Sequence, residues 1–162
     1  MKQIPLSQGK FAIVDDEDFE MLSTHKWHAA KHKNKNVFYA RTNIITPEGK
    51  KTTCSMHRMI LMINTDTSVC DHKDGNGLNN CKSNLRTCNL FQNARNRCKH
   101  KNGISTFKGV YLDKRHGRYQ SSIRVNGKNI SQGYFKDQES AAIAYDNAAK
   151  KYFGDFARLN FP

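Results

Sequence analysis

One stretch near the C-terminus constrains the fold more than any other: RYQSSIRVNGKNISQGYF, at 118–135. Apolar and polar side chains alternate on both sides of Asn126 and Gly127, and this period of two is typical of strands that bury one face. An Asn-Gly pair between two such runs favours a tight hairpin, because both turn positions need a positive φ. A third strand-like run, FKGVYLD, precedes it and ends in the turn KRHG. The pattern therefore predicts three antiparallel strands.

After this hairpin the periodicity changes to that of a helix. The segment DQESAAIAYDNAAKKYFG has an N-cap candidate at Asp137 and a glycine where a helix would end. Alanine dominates one face, which predicts a helix that lies close on the sheet, with Ile143 and Tyr145 packing around the alanines. The polar, basic segment KHKNGIST, at 99–106, shows no apolar period. We therefore expect residues 107–162 to form a separate domain behind a linker.

The charge of the chain indicates its partner. There are 27 Lys and Arg residues against 14 Asp and Glu, a formal net charge of +13. Such a field attracts polyanions, and nucleic acid is the commonest one for a basic soluble protein. Residues 99–136 contain nine Lys or Arg and one acid, Asp113, whereas five acids lie within residues 15–20. We therefore expect the C-terminal sheet, not the N-terminal region, to bind nucleic acid.

Residues 1–56 are predicted to be rich in strands. KFAIV, KWHAA, VFYARTNII and KTTCSM have strand composition, TPEGK marks a turn, and Asp15 or Asp16 can cap a short acidic helix. Nothing in this region indicates its function. The sequence contains no run of about eighteen apolar residues, so we expect no membrane span. The start MKQIPLSQGK lacks the apolar stretch of a signal peptide. The five cysteines form no closely spaced pair, so we expect reduced thiols and no structural zinc.

The stretch CDHKDGNGLNN places an acid and a histidine before a turn rich in glycine and asparagine. Hydrolysis of a phosphodiester needs a divalent ion with hard oxygen ligands and a base that titrates near neutral pH. Asp71 can supply a metal ligand and His72 the base, from opposite sides of one strand end. Asn84, at the start of the returning strand, can orient the imidazole. Asn93, on the helix that follows, can bring a second oxygen to the metal.

The segments DHKDGNGLNN…SNLRTCNLFQNARN resemble the HNH nuclease motif, in the ββα-metal form of phage and intron homing endonucleases. The preceding HRMILMI resembles the segment that leads into this motif in one HNH subfamily. The resemblance implies that His72 is the general base, that Asp71 and Asn93 hold Mg²⁺ (Mn²⁺ as the alternative), and that Asn84 braces the histidine. The third motif position is often histidine; here it is Asn93, which keeps an oxygen ligand. A solvated turn and an inactive HNH scaffold are the alternatives.

The C-terminal residues 107–162 resemble the plant Apetala-two/ethylene-response-factor DNA-binding domain, including the AAIAYDNAAKKYFG helix and the closing LNFP. In that family the sheet lies in the major groove, and strand arginines and tryptophans contact bases and phosphates. This chain has no tryptophan there, since its only one is Trp27. For His57 two interpretations stay open: contact with the scissile phosphate, or an ordinary residue of a helix. The predicted DNA-contacting residues are Arg58, Arg97, Lys108, Tyr111, Arg115, Arg118, Arg124, Lys128, Asn129 and Ser131.

Together these patterns predict an α+β protein with four regions: a strand-rich N-terminal region (1–56), a ββα-metal HNH core (57–98), a basic linker (99–106) and a three-stranded sheet packed on one helix (107–162). The predicted function is a metal-dependent DNA endonuclease of homing type, acting on double-stranded DNA as a monomer or weak dimer. A phage or mobile-element origin and a bacterial cytoplasm are expected. A non-catalytic DNA-binding regulator and an RNA-binding module are the rival hypotheses.

Overall fold

The computed structural model describes residues 1–33, 36–63, 68–96 and 105–162. The chain divides into two compact units, residues 1–90 and 91–162. The architecture mixes small antiparallel sheets with helices, four of them α-helices in the described ranges. None of the helices in those ranges is long and apolar enough to cross a membrane. Arg97 and most of the predicted linker lie outside the described residues.

The first unit contains two hairpins and a three-stranded sheet, all antiparallel. Its strands and helices, in chain order, are β1 (Lys2–Pro5), β2 (Phe11–Val14), α1 (Asp16–Ser23), β3 (His28–Lys31), β4 (Phe38–Ile45), β5 (Lys51–Ser55), α2 (Met56–Ile60), β6 (Val69–His72) and β7 (Leu85–Cys88). Strands β1 and β2 pair, β3, β4 and β5 pair in that order, and β6 pairs with β7. The strands and the short acidic helix predicted for the N-terminal region are confirmed.

One apolar core unites the predicted N-terminal region with the β6–β7 hairpin. Val14, Leu22 and Met56 are fully buried in it, and Trp27 and Leu85 pack in the same cluster. Burial of apolar surface is the main stabilising contribution to folding, so the hairpin depends for its stability on residues from the first third of the chain. The predicted N-terminal region and the predicted HNH region as far as residue 90 thus form one structural unit, and the rest of α3 belongs to the second unit.

The long loop between β6 and β7 is attached to β2 by backbone hydrogen bonds. The Ile13 amide donates to the Leu78 carbonyl (2.9 Å), and the Asn80 amide donates to the Ile13 carbonyl (2.8 Å). A parallel bridge joins Ile13 to Asn79. The loop therefore follows the edge of a strand formed by residues far earlier in the sequence.

The acidic cluster at the start of α1 makes a second attachment, to Lys82 in the same loop. The Asp15 carboxylate accepts a hydrogen bond from the Lys82 backbone amide (2.7 Å). The Lys82 ammonium lies 2.6 Å from Glu17 and 3.1 Å from Asp18. The acids that made the N-terminal region an unpromising DNA surface thus have a role inside the protein, which the sequence did not indicate.

The second unit contains the predicted sheet and helix. Its elements after α3 (Leu90–Arg95), which spans the boundary between the units, are β8 (Val110–Asp113), β9 (Arg118–Val125), β10 (Lys128–Phe135) and α4 (Gln138–Phe153). The strands are antiparallel in the order β10–β9–β8. Asn126 (φ 49°) and Gly127 (φ 81°) both adopt positive φ, so the predicted hairpin is confirmed. Asp137 caps α4 by accepting a hydrogen bond from the Ser140 amide (2.7 Å).

The alanine face of α4 lies on the sheet, as predicted. Ala141, Ala142 and Ala149 are fully buried, and the Tyr145 ring is almost so. The prediction for Ile143 is wrong, because 52% of this residue is exposed. At about 100° per residue, position 143 lies on the opposite side of the helix from the buried face.

Two contacts close the second unit. Gly109 has a φ of +76°, and a Cβ there would lie 1.9 Å from the Tyr145 ring, so only glycine allows this approach. The buried Asp146 carboxylate accepts hydrogen bonds from the Asn160 and Phe161 amides (2.9 Å each). Asn160 in turn contacts both the amide and the carbonyl of Lys108. The closing LNFP segment is thereby joined to the start of the sheet.

Candidate active site and nucleic-acid interface

Asp71 and His72 are the last two residues of β6, and both are buried. Asp71 stands directly opposite Arg86 on β7. Its Oδ2 accepts hydrogen bonds from the Arg86 Nε (2.8 Å) and Nη2 (2.5 Å), so the buried carboxylate has a charged partner. Successive strand residues point to opposite faces, so the imidazole projects away from the ion pair. The acid and the histidine can thus serve different atoms of one substrate.

The imidazole of His72 is held in a form suited to general-base catalysis. Its Nε2 lies 3.4 Å from Oδ1 of Asn80, which is fully buried. Burial lowers the pKa of His72, and the Asn80 contact and the carboxylates of Asp74 and Asp71 only partly oppose this effect. The net shift is downward, so the ring is neutral near pH 7 and able to accept a proton.

Asn84 lies beside the loop carboxylate Asp74. Its Nδ2 donates to Asp74 Oδ1 (3.0 Å) and to the Asn79 carbonyl (2.8 Å), while its Oδ1 accepts from the Asp74 amide (3.1 Å). Asn80 contacts the His72 imidazole, and the bracing of this ring by Asn84 stays a prediction. Sequence offers no means of choosing between them, because both follow the same turn and only the path of the loop separates them.

Asp74 organises the glycine- and asparagine-rich turn. Besides Asn84, it accepts hydrogen bonds from the Asn76 amide (2.8 Å) and the Asn79 side chain (2.8 Å). Burial acts to raise the pKa of Asp74, but these hydrogen bonds outweigh it and hold the pKa below its usual value. Gly75 supplies the positive φ of the turn (+79°). The asparagines of this turn are thus explained by the Asp74 carboxylate, which accepts hydrogen bonds from them.

Two further aromatic rings lie against His72. Tyr39, on β4, and His57, on α2, have ring centroids 5.8 and 5.1 Å from that of His72. Burial, followed by the nearby His72 and Arg58, lowers the pKa of His57 to about 3, so this ring is neutral. Sequence analysis missed Tyr39 and left His57 open. A tyrosine in a strand thirty-odd positions upstream carries no local signal of such a contact.

The remaining predicted residues of this region differ in what the structure says of them. The Arg58 guanidinium donates to the backbone carbonyls of Ser68 (3.4 Å) and Ile63 (3.3 Å), so it has an internal role, and its predicted phosphate contact stays a prediction. Asn93 lies half-buried on α3, in the second unit, and stays a predicted metal ligand.

The donor chemistry fits a magnesium ion. Among the described residues there is no group of three or more His, Cys, Asp or Glu that would hold a metal by itself. Mg²⁺ commonly binds through one or two carboxylates and keeps its other positions for water and substrate phosphate. The Asp71 carboxylate has the oxygen chemistry of such a ligand, and its role as a ligand stays a prediction.

The open face of the C-terminal sheet carries five of the ten predicted DNA-contacting residues. Alternation along the strands places one set of side chains against α4 and the other toward solvent. On the solvent side lie Tyr111, Arg118, Arg124, Asn129 and Ser131. The charged and aromatic members of this set are well exposed, Tyr111 by 58%. These five predicted residues therefore share a single face.

Two residues of this face were missed. Gln120 pairs with Tyr111 on one side and with Tyr134 on the other, which makes a row across all three strands. The register shifts between Ser131 and Gly133, and this bulge turns Tyr134 outward (55% exposed) and Phe135 toward α4. Simple alternation from Ser131 would have placed Tyr134 toward α4 and Phe135 toward solvent, the reverse of what the structure has.

Three predicted contacts lie off this face. The Lys108 ammonium donates to the Arg95 carbonyl (2.7 Å) and lies over the Tyr145 ring. Arg115 is exposed in the β8–β9 turn, and Lys128 is exposed beside the hairpin turn. Close to Arg115, a pocket of about 450 Å³ is lined by Asp113, His116, Arg118 and Tyr134.

Comparison with known proteins gives relatives of two kinds. No protein-family model matches the chain. An uncharacterized HNH endonuclease of Acanthamoeba polyphaga mimivirus is 30% identical over 158 residues, which is 94% of this chain and 76% of that protein. Dehydration-responsive element-binding protein 2C of Arabidopsis thaliana is 41% identical over 63 residues, or 38% of this chain and 18% of that protein.

A third relative is the AP2-like ethylene-responsive transcription factor CRL5 of Oryza sativa subsp. japonica. It is 48% identical over 61 residues, or 36% of this chain and 10% of that protein. The plant likenesses are thus confined to a fraction of each protein, whereas the viral one extends over most of both. The chain belongs to the HNH endonuclease family and also contains a region similar to the AP2 domains of plant transcription factors.

Proposed function

We propose that the protein is a metal-dependent DNA endonuclease of the homing type. The observation that carries this proposal is the buried Asp71–His72 pair, in which a neutral imidazole and an ion-paired carboxylate end the same strand. A general base must be unprotonated to act, and the environment of His72 favours that form. Membership of the HNH family gives the pair its reaction, the hydrolysis of a phosphodiester bond.

In this mechanism His72 takes a proton from the attacking water. Asn80 and the Asp74-centred loop fix the ring, and Arg86 keeps the Asp71 carboxylate in place. A divalent ion, Mg²⁺ or Mn²⁺, would supply charge stabilisation at the phosphate and the leaving oxygen. Asp71 would be its ligand, and the sequence motif adds Asn93.

The second unit supplies DNA binding in this proposal. Its open sheet face presents Arg118 and Arg124 with polar and aromatic side chains between them. Arginine contacts to phosphate give affinity that falls with salt, and contacts to base edges give specificity. A small nuclease site makes few sequence contacts, so a separate reading surface explains how one site among many could be chosen.

The test is cleavage of supercoiled DNA by the full chain with Mg²⁺, with EDTA, and with His72→Ala. We expect cutting that requires the metal and falls by about 10²–10⁴-fold in the variant, with DNA binding retained. His28→Ala, a histidine of β3 in the same unit, serves as the matched control. The time course of nicked and linear products shows whether one strand or both are cut, and whether a monomer suffices.

A non-catalytic DNA-binding regulator is the second candidate, because part of the chain is similar to plant transcription factors. Salt-sensitive binding without cleavage by the intact protein on its own target would favour this function and exclude the nuclease. In either case Arg124→Ala should lower the slope of log affinity against log salt by about one. Because the sequence motif resembles that of homing endonucleases, we also propose that the protein is encoded by a phage or mobile element and acts in a bacterial cytoplasm.

A further inference from the structure

Three rings from three elements meet at the candidate base. Tyr39 comes from β4, His57 from α2 and His72 from the end of β6. Their centroids lie 5.7 Å (Tyr39–His57), 5.8 Å (Tyr39–His72) and 5.1 Å (His57–His72) apart, which closes a triangle. The His57 and His72 planes are 87° apart, the edge-to-face arrangement that aromatic pairs favour.

This triangle restrains the His72 ring in a way that its hydrogen bond does not. The Asn80 contact places one ring nitrogen, but this contact alone does not fix the plane of the ring. Tyr39 and His57 contact the ring from two directions and therefore fix its plane. A proton acceptor must be aligned with the attacking water, and misplacement of about 1 Å can reduce a rate by about 10²-fold.

The Tyr39 ring is itself held by the catalytic loop. A Cβ at Gly77 would lie 2.6 Å from two ring carbons of Tyr39 and 2.5 Å from the Phe38 carbonyl. The loop thus packs directly on this ring at a position that tolerates no side chain. Tyr39 also lies near enough to Asp71 for that carboxylate to raise the pKa of its hydroxyl, after the larger effect of burial. The Tyr39 ring therefore lies between the loop and the His72 imidazole.

We propose that Tyr39 and His57 are positioning residues that orient the imidazole of His72 for catalysis through ring contacts. This inference rests on the proposed nuclease function. It assigns them no contact with the reacting atoms.

The test compares variants that keep a ring with variants that remove it. Tyr39→Phe and His57→Phe should retain kcat within about threefold, whereas Tyr39→Leu and His57→Ala should lower it about 10–100-fold with KM unchanged. His25→Ala is the matched control, because His25 makes a similar edge contact with Trp27 (5.9 Å) in the same unit but has none with His72. Trp27 fluorescence during urea unfolding shows which variants are folded under assay conditions.

Nuclear magnetic resonance of the His72 imidazole gives a readout that does not depend on cleavage. In the ring-deleting variants we expect its ring resonances to shift and broaden, and in His25→Ala to stay in place. Unchanged kcat and unchanged resonances in folded His57→Ala and Tyr39→Leu would overturn the proposal. So would a rise in KM alone, or equal losses in the Phe and the ring-deleting variants. If the wild-type chain cuts no DNA while the resonances shift as expected, the nuclease function fails but the ring contacts stand.

Discussion

The two candidate functional regions are built in opposite ways. Around His72 the important side chains are buried and linked by hydrogen bonds from several elements, some of them far away in the sequence. On the open face of the C-terminal sheet, the side chains point into solvent and only the framework beneath them is packed. Chemistry needs atoms held at fixed positions, whereas a reading surface needs accessible groups on a stiff support.

Because of this difference, we expect mutations in the two regions to affect stability and function in different ways. In the first unit a change in a polar contact should disturb both stability and catalysis, because the same hydrogen bonds serve both. In the second unit the framework and the reading groups are separate, so one can be altered without the other. Trp27, the only tryptophan, lies in the core of the first unit and reports on that unit alone.

The largest effect is expected from Gly109→Ala, in the framework of the second unit. The added Cβ would meet the Tyr145 ring at 1.9 Å, and φ there is +76°. Overpacking and backbone strain together should lower the free energy of unfolding of this unit by about 3 kcal/mol or more. The helical circular-dichroism transition should move to lower urea while Trp27 fluorescence does not. Gly117→Ala, with φ +61° and open space, should cost only about 1 kcal/mol.

Asn84→Asp should produce the next largest effect, and in the first unit. It places a second carboxylate beside Asp74 Oδ1, where Asn84 now donates a hydrogen bond at 3.0 Å. We expect the free energy of unfolding to fall by about 2–3 kcal/mol, and DNA cleavage to fall with it. Urea unfolding followed by Trp27 fluorescence measures the first. Asn43→Asp, the same change at an exposed strand position, should be nearly neutral; an equal loss there would remove the special role of the loop.

Gln120→Ala should alter reading without altering the framework. Gln120 lies between Tyr111 and Tyr134 on the open face, and glutamine pairs with adenine through two hydrogen bonds. Selection from random duplexes should show a base preference that weakens by about 1–2 kcal/mol at one position, with binding to non-specific DNA unchanged. Gln132→Ala, at the bulge of β10, is the matched control. A uniform loss of affinity at all sequences would show that Gln120 contacts only the backbone.

The smallest effect is expected at Ile143, on the exposed side of α4. Ile143→Ala should change the free energy of unfolding by no more than about 0.5 kcal/mol, because 52% of the residue is exposed. Calorimetric unfolding of the full chain measures it, beside Tyr145→Leu on the buried face of the same helix. A large loss at Ile143 would mean that this face is covered, and the comparison between framework and surface would have to be redrawn.

Local patterns predicted local structure well. The Asn126–Gly127 turn, the Asp137 cap and the alternation along β9 are all decided by neighbours in sequence, and the structure has them where they were predicted. The position of Tyr134 escaped prediction because a single inserted residue in β10 reverses the alternation that follows.

The candidate active site was predictable in its motif residues but not in their support. Asp71 and His72 announce themselves by chemistry and spacing. Asn80 and Lys82 lie in the loop and Tyr39 packs against it. Contacts with β2, β4 and α1 set the path of this loop. Such contacts join residues up to 67 positions apart, and no window along a single sequence reveals them.

The attachment of the glycine- and asparagine-rich loop to β2 and α1 has a consequence for exchanging the HNH motif between proteins. In sequence, residues 57–98 resemble a motif that could be exchanged by itself. In the structure, however, the loop inside this segment is held by hydrogen bonds to Ile13 and Asp15. A chimera that exchanged the motif alone would inherit the reactive side chains without the edge that shapes their loop. The module to exchange is therefore residues 1–90 together with the rest of α3, which carries the predicted metal ligand Asn93.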